Sequence, residues 1–167
     1  MPEQSSLYAA IGGEDGIARL VASYVRILRD DPSFGQLRAL YTPEGIKRYD
    51  SRMREFLSGW LGGPALYQER HGLPMLRESH RAIPIDQALM QEWMRVMRMA
   101  LNEAIADPAL RLRLEGAFAR MSESLINKVS SPLVPPRFDA MTENGNSSSG
   151  VSHEQILHLA SGIQRLP

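Results

Sequence analysis

The sequence predicts an all-α fold built around four amphipathic helices. In four separate stretches apolar residues recur at positions i, i+3, i+4 and i+7, the spacing of a helix with one buried face. Segments of alternating β-branched residues, which would indicate strands, are missing. The chain has 167 residues, 43% hydrophobic and 23% charged, which is enough to form one well-buried core.

The first two helices are delimited by their end signals. The apolar stripe of the first runs from Ile17 to Leu28, and the stretch 30–32, Asp-Asp-Pro, predicts its end. Thr42 is a favourable N-cap for the second helix, and a proline follows it at the first helical position. The apolar line of this helix reaches Trp60, and the glycines and proline of 62–64 predict its end.

Two further helices follow in the second half of the chain. The third begins at Asp86, carries apolar residues from Leu89 to Ala104 and ends near an Asp-Pro pair at 107–108. The fourth places its apolar residues between Leu110 and Leu125. These four helices predict one domain over residues 1–128.

Composition changes after Lys128. Residues 129–150 are rich in Pro, Ser, Asn and Gly, which predicts a flexible linker. Residues 151–167 carry a capping-box spacing that starts at Ser152 and a single apolar stripe, which predicts an amphipathic helix. Because an isolated helix of this length is marginal in water, we expect it to dock on the domain, on a second copy or on a partner.

Charge and composition exclude several classes of protein. The 19 basic and 19 acidic side chains cancel, which argues against nucleic acid or an anionic membrane as the main partner. No apolar run is long enough to cross a bilayer, and the N-terminus lacks the features of a secretory signal. The absence of cysteine excludes disulfides and thiolate metal sites. We therefore expect a cytoplasmic protein.

The residues that could carry chemistry are few. The glycine pairs lack the context of a phosphate-binding loop, and no histidine pair has the spacing of a zinc protease. The predicted inner faces, however, carry Tyr24, Tyr49, Trp60 and Trp93, whose polar tips need partners when they are buried. Together with His80 on a short proline-bounded segment, they suggest a polar ligand held inside an apolar cavity.

From about residue 6 to residue 128 the chain resembles the group II truncated haemoglobins. "LYAAIGGEDGIARLV" is similar to the family's start, "FLSGWLGGP" to its distal helix and "HGLPMLRESH" to its proximal segment. Trp93 follows His80 by thirteen residues, the family's interval between the proximal histidine and a tryptophan. The resemblance implies a two-over-two globin fold with a C-terminal extension, and haem b as the cofactor.

The resemblance also implies a role for each pocket residue. His80 would bind the haem iron axially, with its other ring N–H held by a backbone carbonyl or by water. Tyr24, Tyr41 and Trp93 would face the gaseous ligand on the distal side. Tyr49 stands at the distal gate position, where it would either block the ligand or donate a further hydrogen bond.

Contacts to the rest of the haem are implied in the same way. Arg52 would pair with a propionate, and the apolar contacts would come from Met53, Phe56, Ile83, Ile85 and Trp93. Ser79 stands where the family usually has an arginine, so Arg77 or Arg81 is expected to supply that propionate contact. His71 is the alternative axial ligand, but it lacks the interval to Trp93, and we expect it on the surface.

Three functions fit these features. The first is reversible binding of dioxygen, NO and CO, for storage, transport or sensing. The second is a haem enzyme that detoxifies NO, nitrite or peroxide, with a reductase partner, although peroxide chemistry favours a distal acid–base group that the sequence does not supply. The third is a haem-free helical interaction module that acts through the C-terminal helix; the methionine stripe Met90, Met94, Met97 and Met99 also fits it, because methionine adapts to many surfaces. A homodimer is a further expected partnership.

Overall fold

The computed structural model describes residues 6–128, and every regular element in this range is helical. The eight α-helices are α1 (Leu7–Ile11), α2 (Gly13–Asp30), α3 (Gly35–Arg38), α4 (Pro43–Trp60), α5 (Leu66–His71), α6 (Leu76–Ser79), α7 (Gln87–Ala104) and α8 (Pro108–Glu123). A 3-10 turn, Pro32–Phe34, joins α2 to α3. The expected linker, residues 129–150, and the expected C-terminal helix, residues 151–167, lie outside the described residues.

Side-chain caps begin the later long helices where the sequence predicts. The Oγ1 of Thr42 accepts a hydrogen bond from the amide three residues further on, at 3.0 Å. The Oδ1 of Asp86 accepts one at 2.9 Å from the amide three residues on, and Asp107 accepts one at 2.9 Å from the amide two residues on. Each cap satisfies an amide at the start of a helix that has no partner within the helix. The four long helices α2, α4, α7 and α8 are thus the four that were predicted.

The long helices pack in two pairs. Helix α2 packs against both α4 and α7, and α7 packs against α8. This is the two-over-two arrangement expected from the resemblance. The side chains that are almost fully buried come from all four long helices: Ile17, Leu20, Val21, Tyr24, Leu28, Leu57, Val96, Met97, Leu101, Leu114 and Phe118.

Most apolar side chains of the long helices, including most of those of the methionine stripe, are buried in this core. Met90, Met94 and Met97 are buried, and only Met99 of the methionine stripe is exposed. The methionines therefore fill the interior instead of forming an adaptable outer surface. Between residues 6 and 128, no helix has the length and apolar character needed to cross a bilayer.

A sharp junction between α1 and α2 sets the direction of the helix that carries Tyr24. Gly12 has a φ of 96°, a left-handed conformation that glycine adopts without strain. A Cβ on Gly16 would lie 1.8 Å from the carbonyl oxygen of Ile11, so the two helices approach more closely than any side chain allows. Glycine is therefore required at both positions.

The short helices α5 and α6 differ from the long ones. Neither contains a buried residue. They form the connection from α4 to α7 and carry His71 and His80 at or just beyond their C-terminal ends. Tyr67 of α5 and Leu76 of α6 are partly buried and pack against the core.

Candidate functional site

A mainly apolar cavity of about 190 Å³ opens between α4, the α5–α6 connection and α7. This is on the order of ten times the space that one water molecule needs, so the cavity can hold an organic ligand. Its lining comprises Leu37, Leu40, Tyr41, Tyr49, Arg52, Met53, Phe56, Tyr67, Leu76, Ser79, His80, Ile83, Ile85, Leu89, Met90, Trp93, Met121, Ser122 and Leu125. Most residues expected at a haem site are therefore gathered around one cavity.

His80 presents one defined ring nitrogen. Its Nδ1 lies 2.7 Å from the carbonyl oxygen of Leu76, one helical turn earlier. A carbonyl oxygen can only accept, so Nδ1 must carry the proton and donate it. The Oγ of Ser79 donates to the same carbonyl at 3.0 Å and lies 3.1 Å from Nδ1. Nε2 has no partner among the described residues, and in a neutral ring it holds a free lone pair.

The environment of His80 favours that neutral ring. Burial lowers the pKa of His80, and the hydrogen bond to Leu76 opposes this lowering only in part. A histidine binds a metal through the neutral imidazole, and its other N–H is commonly held by a backbone carbonyl. His80 therefore has the protonation state and the tautomer of a metal ligand.

Aromatic residues cluster at another part of the same cavity. The ring of Tyr49 stacks on that of Tyr24 with centroids 5.5 Å apart, and Tyr41 meets Tyr49 edge-on at 5.3 Å. Trp93 lies 6.0 Å from Tyr24, at a tilt of 50°. Tyr41, Tyr49 and Trp93 line the cavity, whereas Tyr24 is almost completely buried and lies behind Tyr49.

The three tyrosines keep their hydroxyl protons. Burial, followed by the neighbouring tyrosines, raises the pKa of Tyr24 well above its usual value. Burial likewise raises the pKa of Tyr41 and that of Tyr49, although nearby donors oppose it at both residues. The hydroxyl of Tyr24 lies near those of Tyr41 and Tyr49 but has no hydrogen-bond partner of good geometry. A buried donor without a partner costs about 1–3 kcal/mol, so a small shift that lets this hydroxyl donate to Tyr41 or Tyr49 would be favourable.

Arg52 is the cationic residue that lines the cavity. Its Nη1 is buried and has no hydrogen-bond partner among the described residues, so an anionic group such as a carboxylate would satisfy it. Arg77 and Arg81 do not line the cavity. The Nε of Arg77 instead donates to the carbonyl of Ser124 at 3.1 Å, and Arg81 forms an exposed ion pair with Glu78.

His71 is engaged elsewhere. Its Nε2 lies 2.6 Å from the carboxylate of Glu55, and its ring meets Tyr67 edge-on at 5.0 Å. Its side chain is only 16% exposed, so the expectation of a surface residue is wrong. The apolar ring shelters beside Tyr67 while Glu55 satisfies its nitrogen. With that nitrogen occupied, His80 is the one of the two histidines between residues 6 and 128 that is available to a ligand in the cavity.

The residues between 6 and 128 contain no cluster of three or more His, Asp or Glu side chains that could hold a bare metal ion. A single imidazole suits a metal that brings most of its own ligands, as the iron of haem does. The apolar lining, the unpartnered Arg52 and the free Nε2 of His80 thus fit a flat apolar cofactor that carries carboxylates and a metal.

Several features of the site were not predicted from the sequence. Tyr67 and Leu76 line the cavity, and the Leu76 carbonyl holds the ring of His80. The position of Leu76, four residues before His80, could have indicated this contact if a helical turn had been expected there. Glu92 is also buried, and it accepts a hydrogen bond from the amide of Leu37 at 3.2 Å. Periodicity gave no signal for this bond.

Comparison with known proteins agrees with this geometry. A family described as "Bacterial-like globin" matches residues 6–127. A cold-adapted truncated haemoglobin from Pseudoalteromonas haloplanktis is 34% identical, with a TM-score of 0.71 over 74% of this chain and 99% of that one. A group II 2-on-2 haemoglobin from Agrobacterium tumefaciens is 31% identical, with a TM-score of 0.71 over 77% and 99%. A truncated oxygen-avid haemoglobin from Bacillus subtilis is 28% identical, with a TM-score of 0.64 over 74% and 100%.

Proposed function

Since this chain belongs to the bacterial-like globin family, and within it to the group II truncated haemoglobins, we propose that it is a haem b protein that reversibly binds dioxygen. The same site would accept NO and CO. The observation that carries the proposal is His80, whose Nδ1 is held by Leu76 while its Nε2 has no partner among the described residues, in a cavity that Tyr41, Tyr49 and Trp93 also line. The description of the Bacillus subtilis protein as oxygen-avid supports the choice of gas.

Different residues around the cavity would contact different parts of the haem. The Nε2 of His80 would bind the iron, and Arg52 would pair with a propionate. Met53, Phe56, Ile83 and Ile85 line the cavity and would pack on the apolar macrocycle. Haem supplies the iron that binds the gas, and the chain supplies the axial imidazole and the shape and polarity of the pocket.

The distal residues give the pocket its preference among gases. Tyr49 and Trp93 line the cavity, and Tyr24 lies directly behind Tyr49. The donors of Tyr49 and Trp93 would meet the bound gas among mainly apolar side chains, where a hydrogen bond is stronger than in solution. Dioxygen gains more from such donors than CO does, because CO accepts hydrogen bonds poorly.

The lining of the cavity favours gas binding over peroxide turnover. Among the described residues that line it, no carboxylate and no second histidine is present to move protons on the distal side. The interaction-module alternative is weakened by the burial of Met90, Met94 and Met97. We further propose that residues 1–128 are sufficient for the haem site.

The first test is haem uptake. Purified full-length protein should develop a Soret band on titration with haemin, with one haem per chain. His80→Ala should lose the haem or hold it weakly, whereas His71→Ala should keep the wild-type spectrum. Equal effects of the two substitutions, or no Soret band in the wild type, would refute the assignment.

The second test separates gas binding from haem uptake alone. Reduced protein should pass repeatedly between two spectra as oxygen is admitted and removed. Rapid conversion to the ferric form in the first cycle would argue against reversible binding and in favour of an enzyme that consumes oxygen.

A further inference from the structure

Asn127 uses all the polar atoms of its side chain on the loop that carries His80. Its Oδ1 accepts a hydrogen bond from the amide of Ile85 at 2.9 Å. Its Nδ2 donates to the carbonyl oxygen of Ile83 at 2.9 Å and to that of His80 itself at 3.2 Å. One side chain thus binds three backbone groups between residues 80 and 85.

The backbone at the same place adds to this contact. The amides of Asn127 and Lys128 both donate to the carbonyl of Ile85, at 2.9 and 3.0 Å. We call Asn127 and Lys128, with their bonds to residues 80–85, the C-terminal clasp. It joins the end of the described chain to the loop between α6 and α7.

The clasp acts just after a helix that contains no buried residue. Helix α6 buries none of its residues, and His80 lies at its C-terminal end. The bond to Leu76 fixes the direction of the imidazole ring, but it does not fix the backbone that follows. The bonds from the Nδ2 of Asn127 hold that backbone on both sides of the turn from His80 to Ile83.

We propose that Asn127 is a positioning residue for the axial imidazole, acting through the carbonyl oxygens of His80 and Ile83. This inference rests on the proposed function, in which His80 binds the haem iron. Asn127 does not line the cavity. Its effect is to hold the ring of His80 at a fixed distance and angle from the iron.

Two variants separate the contributions of the Asn127 side-chain oxygen and nitrogen. Asn127→Asp keeps an oxygen that can accept from Ile85 but replaces the Nδ2 donor with an oxygen that repels the two carbonyls. Asn127→Ala removes all three side-chain bonds. Asp107→Ala is the matched control, because it also removes a side-chain-to-backbone bond but does so at the N-terminal end of α8, whereas Asn127 lies beyond the C-terminal end of that helix.

The full-length haem-loaded protein gives two readouts that a general loss of stability would not shift together. These are the iron–histidine stretching frequency of the reduced, gas-free protein and the rate of haem transfer to an excess of a haem-scavenging apoprotein. We expect both Asn127 variants to shift the stretching band and to lose haem about ten-fold faster, as the loss of roughly one to two hydrogen bonds implies. Asp107→Ala should change neither, even if its thermal stability falls equally.

Two results would contradict these expectations. A stretching band unchanged in Asn127→Asp, with haem loss at the wild-type rate, would overturn the proposal and leave Asn127 a structural residue. A wild-type protein that takes up no haem would instead refute the proposed function. In that case amide hydrogen exchange at Ile85 tests whether the clasp holds the loop in solution. Faster exchange in Asn127→Ala than in Asp107→Ala would support the clasp, and equal exchange in the two variants would refute it.

Discussion

The ring of Tyr49 stacks on that of Tyr24, with their centroids 5.5 Å apart and their planes inclined by 29°. Tyr49 lines the cavity and Tyr24 does not, so in the proposed function Tyr49 would be nearer than Tyr24 to the bound gas. We therefore expect Tyr49 to donate a hydrogen bond to the gas, and Tyr24 to act from the layer behind it.

This order predicts unequal effects of removing the two hydroxyls. Tyr49→Phe should speed oxygen release by about ten-fold, because a hydrogen bond to a charged acceptor contributes about 1.5–3 kcal/mol. Tyr24→Phe should have a smaller effect, since Tyr24 reaches the ligand less directly. Stopped-flow measurement of oxygen release decides the order, and a larger effect of Tyr24→Phe would reverse it.

Trp93 adds an N–H donor to the same aromatic cluster, with its ring 6.0 Å from that of Tyr24. Trp93→Phe keeps most of the bulk and removes the indole N–H, so we expect oxygen to leave ten-fold faster or more, on the same scale of about 1.5–3 kcal/mol. The release of CO should change less, because CO accepts hydrogen bonds poorly. Stopped-flow release of both gases is the measurement. Equal acceleration of the two gases would make Trp93 a packing residue.

Two truncations test where the domain ends. A chain that stops at Lys128 should keep haem binding and thermal stability nearly intact, because it retains the C-terminal clasp. A chain that stops at Ile126 loses Asn127 and should lose about 2 kcal/mol of stability, or roughly 5–10 °C in Tm. Calorimetry and haem titration of both proteins give the answer. A large loss on the first truncation would place residues 129–167 in the folded core.

The contact between α4 and α5 predicts a dependence of stability on pH. Burial raises the pKa of Glu55, but its bonds to Arg70 and His71, both 2.6 Å long, outweigh that effect and leave the pKa below the ordinary value of 4.5. The folded state therefore binds this proton less readily than the unfolded state does. The stabilisation is complete above pH 4.5 and is lost as the pH falls through the lower folded value.

Glu55→Gln removes this titration. At neutral pH the variant should be about 1–2 kcal/mol less stable than the wild type, and the gap should close in acid below the ordinary carboxyl pKa. Chemical denaturation at a series of pH values measures the gap. Glu78→Gln is the control, because its ion pair with Arg81 is exposed and should contribute little at any pH. A gap of constant size would exclude the carboxylate as its cause.

The long helices were predictable because their signals are local. The caps at Thr42, Asp86 and Asp107, and the apolar stripes that follow them, depend only on neighbours in the chain. The short helix α6 was not predicted as a helix, because its four residues carry no stripe and bury no side chain. For the same reason the contact of Leu76 was not predicted: its backbone carbonyl, not its side chain, accepts the hydrogen bond from His80.

The site itself could be predicted from the family resemblance more than from periodicity. His80 and Trp93 follow from their interval, and the structure places both on the cavity. Asn127 could not be found this way, because its partners lie 42 to 47 residues earlier in the chain. Contacts at that separation have no signature in a single sequence.

The bond between Ile85 and Asn127 also has a consequence for the order in which the protein is made. It closes a loop of 42 residues that contains all of α7 and α8. A chain leaves the ribosome N-terminus first, and its early helices can form before its last residues exist. The turn that carries His80 is synthesised long before Asn127, yet it remains without its clasp until residue 127 has emerged. We therefore expect the turn that carries His80 to be among the last parts of the domain to take its final position, and stable capture of haem, in the proposed function, to follow the completion of the domain.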